Sequence, residues 1–141
     1  MMLNPMEKIM NEEDTVIAKA CLEASENGTL SFPEIAAKLG VAGFEGYIVD
    51  YRQNTSTYFL SDGTHAVLKM QIPLGRVAAA FNAPGIEACV REAQANAPGY
   101  TYKGFCEKVK AFGCAGYFVS FLGRRVVYFG RTAETHVELF P

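Results

Sequence analysis

The segment Cys114–Pro141, CAGYFVSFLGRRVVYFGRTAETHVELFP, decides the fold, because most of it occurs twice in the chain. It contains three short runs of aromatic and β-branched residues, separated by glycine-containing or polar turns, which is typical of strands. Gly123-Arg124 predicts a type II′ hairpin turn, in which glycine takes the first central position. The segment therefore predicts a three-stranded meander.

An earlier part of the chain repeats this pattern. A shift of 70 residues aligns seven identical pairs. These pairs are Lys38 and Lys108, Gly43 and Gly113, Gly46 and Gly116, Tyr47 and Tyr117, Val49 and Val119, Tyr58 and Tyr128, and Phe59 and Phe129. One residue inserted in the next loop of the second copy then aligns Thr64-His65 with Thr135-His136 at an offset of 71. We interpret the pattern as an internal duplication, and two merely similar hairpins are the alternative.

Two helices are predicted before each set of strands. The first spans about residues 14–25 and has apolar residues at helical spacing, and an offset of 69 places this series on the third helix. The four aligned pairs are Ile17 and Ile86, Ala20 and Cys89, Cys21 and Val90, and Ala24 and Ala93. Ser31 and Glu34 form a capping-box pattern before the second helix, and Thr101 is a candidate cap for the fourth. Residues 77–81 fit either a short helix or an extended connector.

These elements predict an α+β fold made of two ααβββ halves, residues 14–70 and 83–140. Joined, the halves form one antiparallel or mixed sheet of about six strands with helices packed on it. We expect a single domain over residues 1–141, with residues 1–13 flexible. Exposed strand edges need a partner or protection, which favours a homodimer.

Composition indicates a globular protein outside the membrane. Half of the residues are apolar, 20% are charged, and the formal net charge is -2. The longest uncharged run, residues 111–123, is shorter than the roughly 18 apolar residues of a membrane span. The first residues lack the apolar core of a signal peptide, so we expect a cytoplasmic protein. Residues 1–70 carry a balance of -5 and residues 71–141 one of +3. This asymmetry fits three explanations: attraction between the halves, a preference of one copy for an anionic ligand, or drift of charge on the solvated surface.

No motif in the sequence fixes a reaction, a metal or a cofactor. The four cysteines lack the C-x-x-C spacing of zinc and redox sites, and apolar positions on helices predict that three of them are buried. No phosphate-binding loop, nucleophile elbow or dinucleotide fingerprint is present. The sequence therefore predicts neither a metal site nor a cofactor.

The two histidines are the strongest candidates for chemistry. His65 follows a loop that contains Asp62, and His136 follows one that contains Glu134. If the duplication relates them by a two-fold axis, both face one ligand or act as general acid and base with these carboxylates. The alternative is that each Thr-His pair begins a strand and bonds locally.

Polar and aromatic side chains near the strands complete the set of candidate ligand-binding residues. Asp50 in the first copy is replaced by Ser120 in the second, and they share a sheet face with Ile48 and Phe118, respectively. A polar residue in this otherwise apolar row marks either a ligand contact or an edge strand that faces water. The full set is His65, His136, Asp50, Ser120, Tyr58, Tyr128, Arg124 and Arg125. Aromatic residues beside arginines are also typical of nucleic-acid platforms. Residues 115–121, however, do not match the RNP1 pattern, and the net charge is negative. Both observations argue against nucleic acid and favour packing of the aromatic residues in the core and across strands.

The chain also resembles a known family. The segments FPEIAAKLGVAGFEGYIVDYRQNTSTYFLSDGTH, GIEACVREAQAN and GCAGYFVSFLGRRVVYFGRTAETHVELFP are similar to those of the YbcV-like family of uncharacterised bacterial and prophage-encoded proteins. The resemblance covers nearly the whole chain after the first dozen residues. It implies a small α+β fold and a cytoplasmic protein, and it supplies no catalytic residues.

Function is expected to follow from the duplicated scaffold. Paired polar residues without a recognisable nucleophile favour a non-enzymatic module that binds a small molecule or a protein. Its site is expected between the two halves or on the open sheet face near His65 and His136. The alternative is a small enzyme that uses His65 and His136 with nearby carboxylates as general acid and base. The alternative requires the imidazoles to converge on one cavity.

Overall fold

A computed structural model of the chain describes residues 9–73 and 75–141, which form two ααβββ halves as predicted. The elements are α1 (Glu12–Asn27), α2 (Phe32–Val41), β1 (Phe44–Asp50), β2 (Thr55–Leu60), β3 (His65–Lys69), α3 (Ala83–Gln94), α4 (Tyr102–Ala111), β4 (Cys114–Ser120), β5 (Arg125–Gly130) and β6 (Thr135–Leu139). Of the segment expected to be flexible, residues 1–8 lie outside the described residues. Glu12 and Glu13, in contrast, already belong to α1.

The helices begin where the capping residues predict. Ser31 Oγ accepts a hydrogen bond from Glu34 N, and Glu34 Oε1 accepts one from Ser31 N, so the predicted capping box is confirmed. Thr101 caps α4 by accepting a bond from Gly104 N. Asn82 caps α3 in the same way. These side chains satisfy amide groups that the first helical turn leaves unpaired.

The six strands form one antiparallel sheet in the order β3-β2-β1-β4-β5-β6. The two halves meet where β1 pairs with β4, and Ile48 lies opposite its repeat partner Phe118. A pseudo-two-fold axis therefore passes between these strands, normal to the sheet. Neither half has a complete sheet of its own, because β1 and β4 would each be edge strands without the other.

The insertion predicted in the second copy is wrong. Phe59 pairs with His65 in the first half, and Phe129 pairs with Thr135 in the second, so the offset is 70 in the third strand as well. The preceding loops are equivalent: Gly63 and Ala133, also 70 residues apart, both have positive φ, 92° and 64°. The structural equivalent of His65 is Thr135, and that of His136 is Ala66.

The offset of 69 predicted for the first helices is also wrong. The buried residues of α1 are Ala18, Cys21 and Leu22, and those of α3 are Ile86, Cys89 and Val90. These two sets correspond at an offset of 68. The sequence pattern failed because α1 carries apolar residues on two adjacent faces, and Ala20 lies on the exposed one.

The turns that join β1 to β2 and β4 to β5 are equivalent four-residue loops. Asn54 and Arg124, which end these loops, have φ of 57° and 51°. Gly123 does not adopt positive φ, so the predicted II′ turn is wrong. Asparagine is one of the residues that tolerate this left-handed conformation, whereas Arg124 adopts it without that intrinsic preference.

The helices cover one face of the sheet, which we name the helix face. Buried side chains of β1, β2, β4 and β5 point to it and form one core cluster with buried residues of all four helices. Five tyrosines belong to this core: Tyr47, Tyr51, Tyr58, Tyr117 and Tyr128. Tyr47 and Tyr58 stack with ring centroids 5.2 Å apart, and the hydroxyls of Tyr102 and Tyr117 lie 2.6 Å apart. The predicted packing role of the core tyrosines is therefore confirmed.

An extended connector joins the halves. Residues 77–81 contain no helix, which resolves the ambiguity of that segment. The connector is fixed by backbone bonds from Ala78 N to Lys110 O and from Asn82 N to Phe112 O. None of the helices in the described part of the chain combines the length and apolar character of a membrane span.

Candidate functional site

The two histidines do not share a pocket. His65 lies on β3 and His136 on β6, the opposite edges of the sheet. Five strand spacings of about 4.8 Å separate these edges by roughly 24 Å. His65 pairs with Phe59, whereas His136 pairs with the buried Tyr128, so the two imidazoles also lie on opposite faces. The expectation that they converge on one cavity is wrong within a single chain.

His65 is exposed on the face opposite the helices. Its ring lies 6.2 Å from that of Phe59, its neighbour across the strands. Asp62, expected to act with it, accepts bonds at Oδ1 from the amide and the hydroxyl of Thr64, at 2.9 and 2.7 Å. These bonds close the loop between β2 and β3, which is a structural role for this carboxylate oxygen.

His136 takes part in a charged network on the helix face. Its Nε2 lies 2.5 Å from Oε2 of Glu138, and Oε1 of the same carboxylate accepts a bond of 2.8 Å from Arg91 of α3. Glu134, the predicted partner, instead accepts a bond from the hydroxyl of Thr132. The network joins the edge strand β6 to α3.

The Glu138 carboxylate is held in its ionised form. Burial raises its pKa, but hydrogen bonds from Arg91 and His136 outweigh that effect and bring the pKa below its usual value. Both carboxylate oxygens are engaged, so Glu138 orients neighbouring groups and is poorly placed to exchange protons with a substrate. The network therefore fits a structural link between β6 and α3 better than a catalytic pair.

Glu138→Gln is expected to change the acid sensitivity of the fold. A carboxylate whose folded pKa is depressed stabilises the protein above its unfolded pKa, about 4.3, and this contribution is lost as pH falls through the folded value. We expect the variant to lose about 1 kcal/mol at neutral pH, because Arg91 is half exposed. Urea unfolding at several pH values gives the free energy of unfolding as a function of pH, and the values for the wild type and Glu138→Gln should converge below pH about 4. A difference in unfolding free energy that stays constant with pH would contradict the described network.

Two candidate ligand-binding residues, Tyr58 and Tyr128, are core residues. Their exposed fractions are 3% and 7%, and burial raises the pKa of both hydroxyls far above the usual value. The four cysteines are also buried and free, as expected for three of them. Burial raises the pKa of Cys106 to about 11 and that of Cys114 to about 12, so neither thiol is suited to nucleophilic attack.

Asp50 and Ser120 stabilise turns. Asp50 Oδ1 accepts bonds from the amides of Arg52 and Gln53, and Ser120 Oγ accepts one from Gly123 N. Their placement on the face of Ile48 and Phe118 is confirmed. Their oxygens, however, already satisfy backbone groups of the turn, which explains why a polar residue occurs at each position without reference to a ligand.

The two arginine candidates also have local partners. Arg124 lies over the ring of Phe140, 5.7 Å from its centroid. Arg125 donates from Nε to Gly123 O at 3.1 Å, and its exposed side chain lies on the face opposite the helices. Neither arginine converges with either histidine on a common cavity.

Two cavities in the described residues flank α4, and both are small. One of about 110 Å³ lies between the end of α3 and α4, and one of about 240 Å³ lies beside the connector and Lys110. Sites for small molecules usually have about 300–1,000 Å³. Neither histidine lines either cavity. Residues 9–73 and 75–141 also place no group of three or more His, Cys, Asp or Glu side chains where they could hold a metal ion.

The largest candidate site is the sheet face opposite the helices, which we name the open face. Strand registers place its side chains in three rows that cross all six strands. The middle row consists of Val67, Thr57, Ile48, Phe118, Val127 and Val137. The flanking rows are Lys69, Thr55, Asp50, Gly116, Phe129 and Thr135, and His65, Phe59, Gly46, Ser120, Arg125 and Leu139.

The open face is apolar at its centre and reaches solvent at its edges. Five of the six middle-row side chains are apolar. Val67 and Val137, at its two ends, are 57% and 45% exposed, and Leu139 is 64% exposed. Its three charged residues, Asp50, Lys69 and Arg125, lie in the flanking rows. This arrangement matches protein interfaces, in which charged residues are depleted at the centre.

The sequence predicted a site between the two halves or on the open sheet face, but it did not identify which residues form that face. Alternation along a strand predicts two faces but does not say which one the helices cover. The candidate residues His65, Asp50, Ser120 and Arg125 all lie on this face, but in its flanking rows. Comparison with other proteins adds no assignment, since no family model and no curated protein matches the chain.

Proposed function

We propose that this chain is a non-enzymatic binding module that contacts another protein through its open face. The observation that carries the proposal is the middle row, an uninterrupted stripe across six strands whose only polar member is Thr57. Covering an apolar surface that spans a whole sheet is favourable, because it removes apolar area from water.

The geometry gives less support to the enzyme alternative. His65 and His136 occupy opposite edges and opposite faces, and the ionised Glu138 is engaged at both oxygens. General acid-base catalysis needs two groups within reach of one substrate. A small-molecule site is also less well supported, because the open face is a broad sheet surface rather than a concave pocket.

Nucleic acid is the other class of ligand that phenylalanines on the open face of a sheet suggest. Stacking platforms combine such rings with a groove of basic residues. Here two cations, Lys69 and Arg125, lie far apart in opposite flanking rows of the open face, and a largely apolar middle row lies between them. The surface therefore fits a protein better. A cytoplasmic location and the resemblance to the YbcV-like family remain part of the proposal and do not determine the partner.

Thiol labelling of Thr57→Cys in the cell tests the proposal. The native cysteines are buried, so a new cysteine in the middle row is the main reactive thiol. We expect it to react several-fold more slowly in cells that produce the protein than in dilute purified protein, because a partner covers it. The matched control is Val16→Cys, on the exposed surface of α1, where Val16 is 59% exposed.

The result is one ratio for each variant, its labelling rate in the cell divided by its labelling rate in dilute purified protein. This division removes differences in intrinsic thiol reactivity. The proposal expects a reduced ratio for Thr57→Cys alone. Equal ratios for both variants would show that the open face is free in the cell and would contradict the proposed function.

A further inference from the structure

We infer that the partner of the open face is a second copy of this chain, packed face to face, an inference that rests on the proposed function. The two sheets would stack about 10 Å apart, as in a β-sandwich. Ile48 and Phe118, which flank the pseudo-two-fold axis, would lie at the centre of the interface. The helices of both copies would form the outer layers.

The internal symmetry of the open face supports this partner. The middle row maps onto itself under the shift of 70 residues: Val67 corresponds to Val137, Thr57 to Val127 and Ile48 to Phe118. A two-fold axis in the plane of the sheet therefore places one middle row on the other, whether the axis runs along the strands or across them. Self-complementarity of this kind is what an isologous dimer requires.

The two cations on the open face permit the same packing. Lys69 lies at one corner, and Arg125 lies in the opposite flanking row, near the other edge. An axis along the strands places Arg125 over Phe59 of the second copy, and an axis across the strands places it over Phe129. Both arrangements bring a guanidinium to an aromatic ring, which is favourable, and neither opposes Lys69 with Arg125.

The size of the open face is sufficient. Six strands at about 4.8 Å spacing and five residues at about 3.4 Å rise give a projected area of roughly 500 Å². Burying it on both copies removes about 1,000 Å² from water, near the lower limit for a specific interface. The dimer is therefore expected to form reversibly as concentration increases.

Sedimentation equilibrium over a concentration series tests the inference. The wild-type chain, of 15.4 kDa, is expected to approach twice that mass. Ile48→Lys and Val127→Lys place an ammonium group in the apolar middle row, and each is expected to weaken association by about 30-fold or more. Val41→Lys on α2 is the matched control, since Val41 is 92% exposed on the helix side. It should associate like the wild type.

The folded state of each variant is checked by circular dichroism and thermal unfolding. If a lysine variant does not fold, Ile48→Ala and Val127→Ala replace it, and both should still weaken association. A wild-type chain that stays monomeric up to about 1 mM would overturn the inference, since a Kd weaker than this is worth less than about 4.1 kcal/mol. Open-face variants that dimerise like the wild type would also overturn it, because the two copies would then associate through another surface, such as the strand edges.

The test separates failure of the dimer from failure of the proposed function. A monomeric wild type whose Thr57→Cys thiol is protected in the cell would leave the proposed function intact and assign the open face to a different protein. A monomer that binds a single-stranded oligonucleotide, with loss of binding in Phe118→Ala, would assign the surface to nucleic acid and overturn both.

Discussion

Replacement of Gly46 by alanine is expected to remove about 4 kcal/mol of folding stability, and the same loss is expected at Gly116. A Cβ atom at Gly46 would overlap the carbonyl oxygen of Val119, and one at Gly116 would overlap that of Val49. Both oxygens belong to backbone at the junction of β1 and β4, so no side-chain rotation relieves the contact. The two strands would have to separate, and the halves of the sheet meet only there.

Equilibrium unfolding in urea measures these losses, with Gly40→Ala as the control. Gly40 lies in α2 with open space where its Cβ would be. Alanine there should stabilise the protein by about 0.5–1 kcal/mol, because it reduces the flexibility of the unfolded chain. If Gly46→Ala and Gly116→Ala both unfold within about 1 kcal/mol of the wild type, β1 and β4 do not pair as described.

The second large effect is expected at Leu39 and Val109, which are equivalent core residues of α2 and α4. Both have an exposed fraction of 0%. We expect Leu39→Ala to cost about 3 kcal/mol and Val109→Ala about 2 kcal/mol, from lost burial and the cavity left behind. Because the sheet runs through both halves, either substitution should destabilise the whole domain and not one half.

Fluorescence and circular dichroism, recorded through the same urea titration, test this cooperativity. Coincident curves with one transition are expected for the wild type and both variants. A three-stranded half with two small helices is marginally stable alone. Two separated transitions, with only one displaced by Leu39→Ala, would show that the halves fold independently and would contradict a single domain.

Local patterns were sufficient to predict the elements of the fold. Capping by Ser31 and Thr101 depends on neighbouring residues, and the structure confirms both predicted caps. The repeat register was harder to predict. Ala133 takes the place of Gly63 in a left-handed conformation, so the equivalence of the two loops is hidden in the sequence. The Thr-His identity at an offset of 71 then suggested an insertion that the strand pairing excludes.

The candidate site was predictable only in part. The alternation of residues placed Asp50 and Ser120 on the face of Ile48 and Phe118, as the structure confirms. Which face the helices cover depends on contacts between distant segments, such as that of Arg91 with Glu138, and local sequence carries no such information. The error in register also made the two histidines seem equivalent, which directed attention away from the middle row.

The most direct test of the open face is an isotope-filtered NOE experiment on a mixture of methyl-labelled and unlabelled chains at high concentration. We expect intermolecular NOEs to the methyl groups of Ile48, Val67, Val127 and Val137, and none to those of Val16 and Val41 on the helix side. Intermolecular NOEs confined to Val16 and Val41, or absent from all of these methyl groups, would contradict association through the open face.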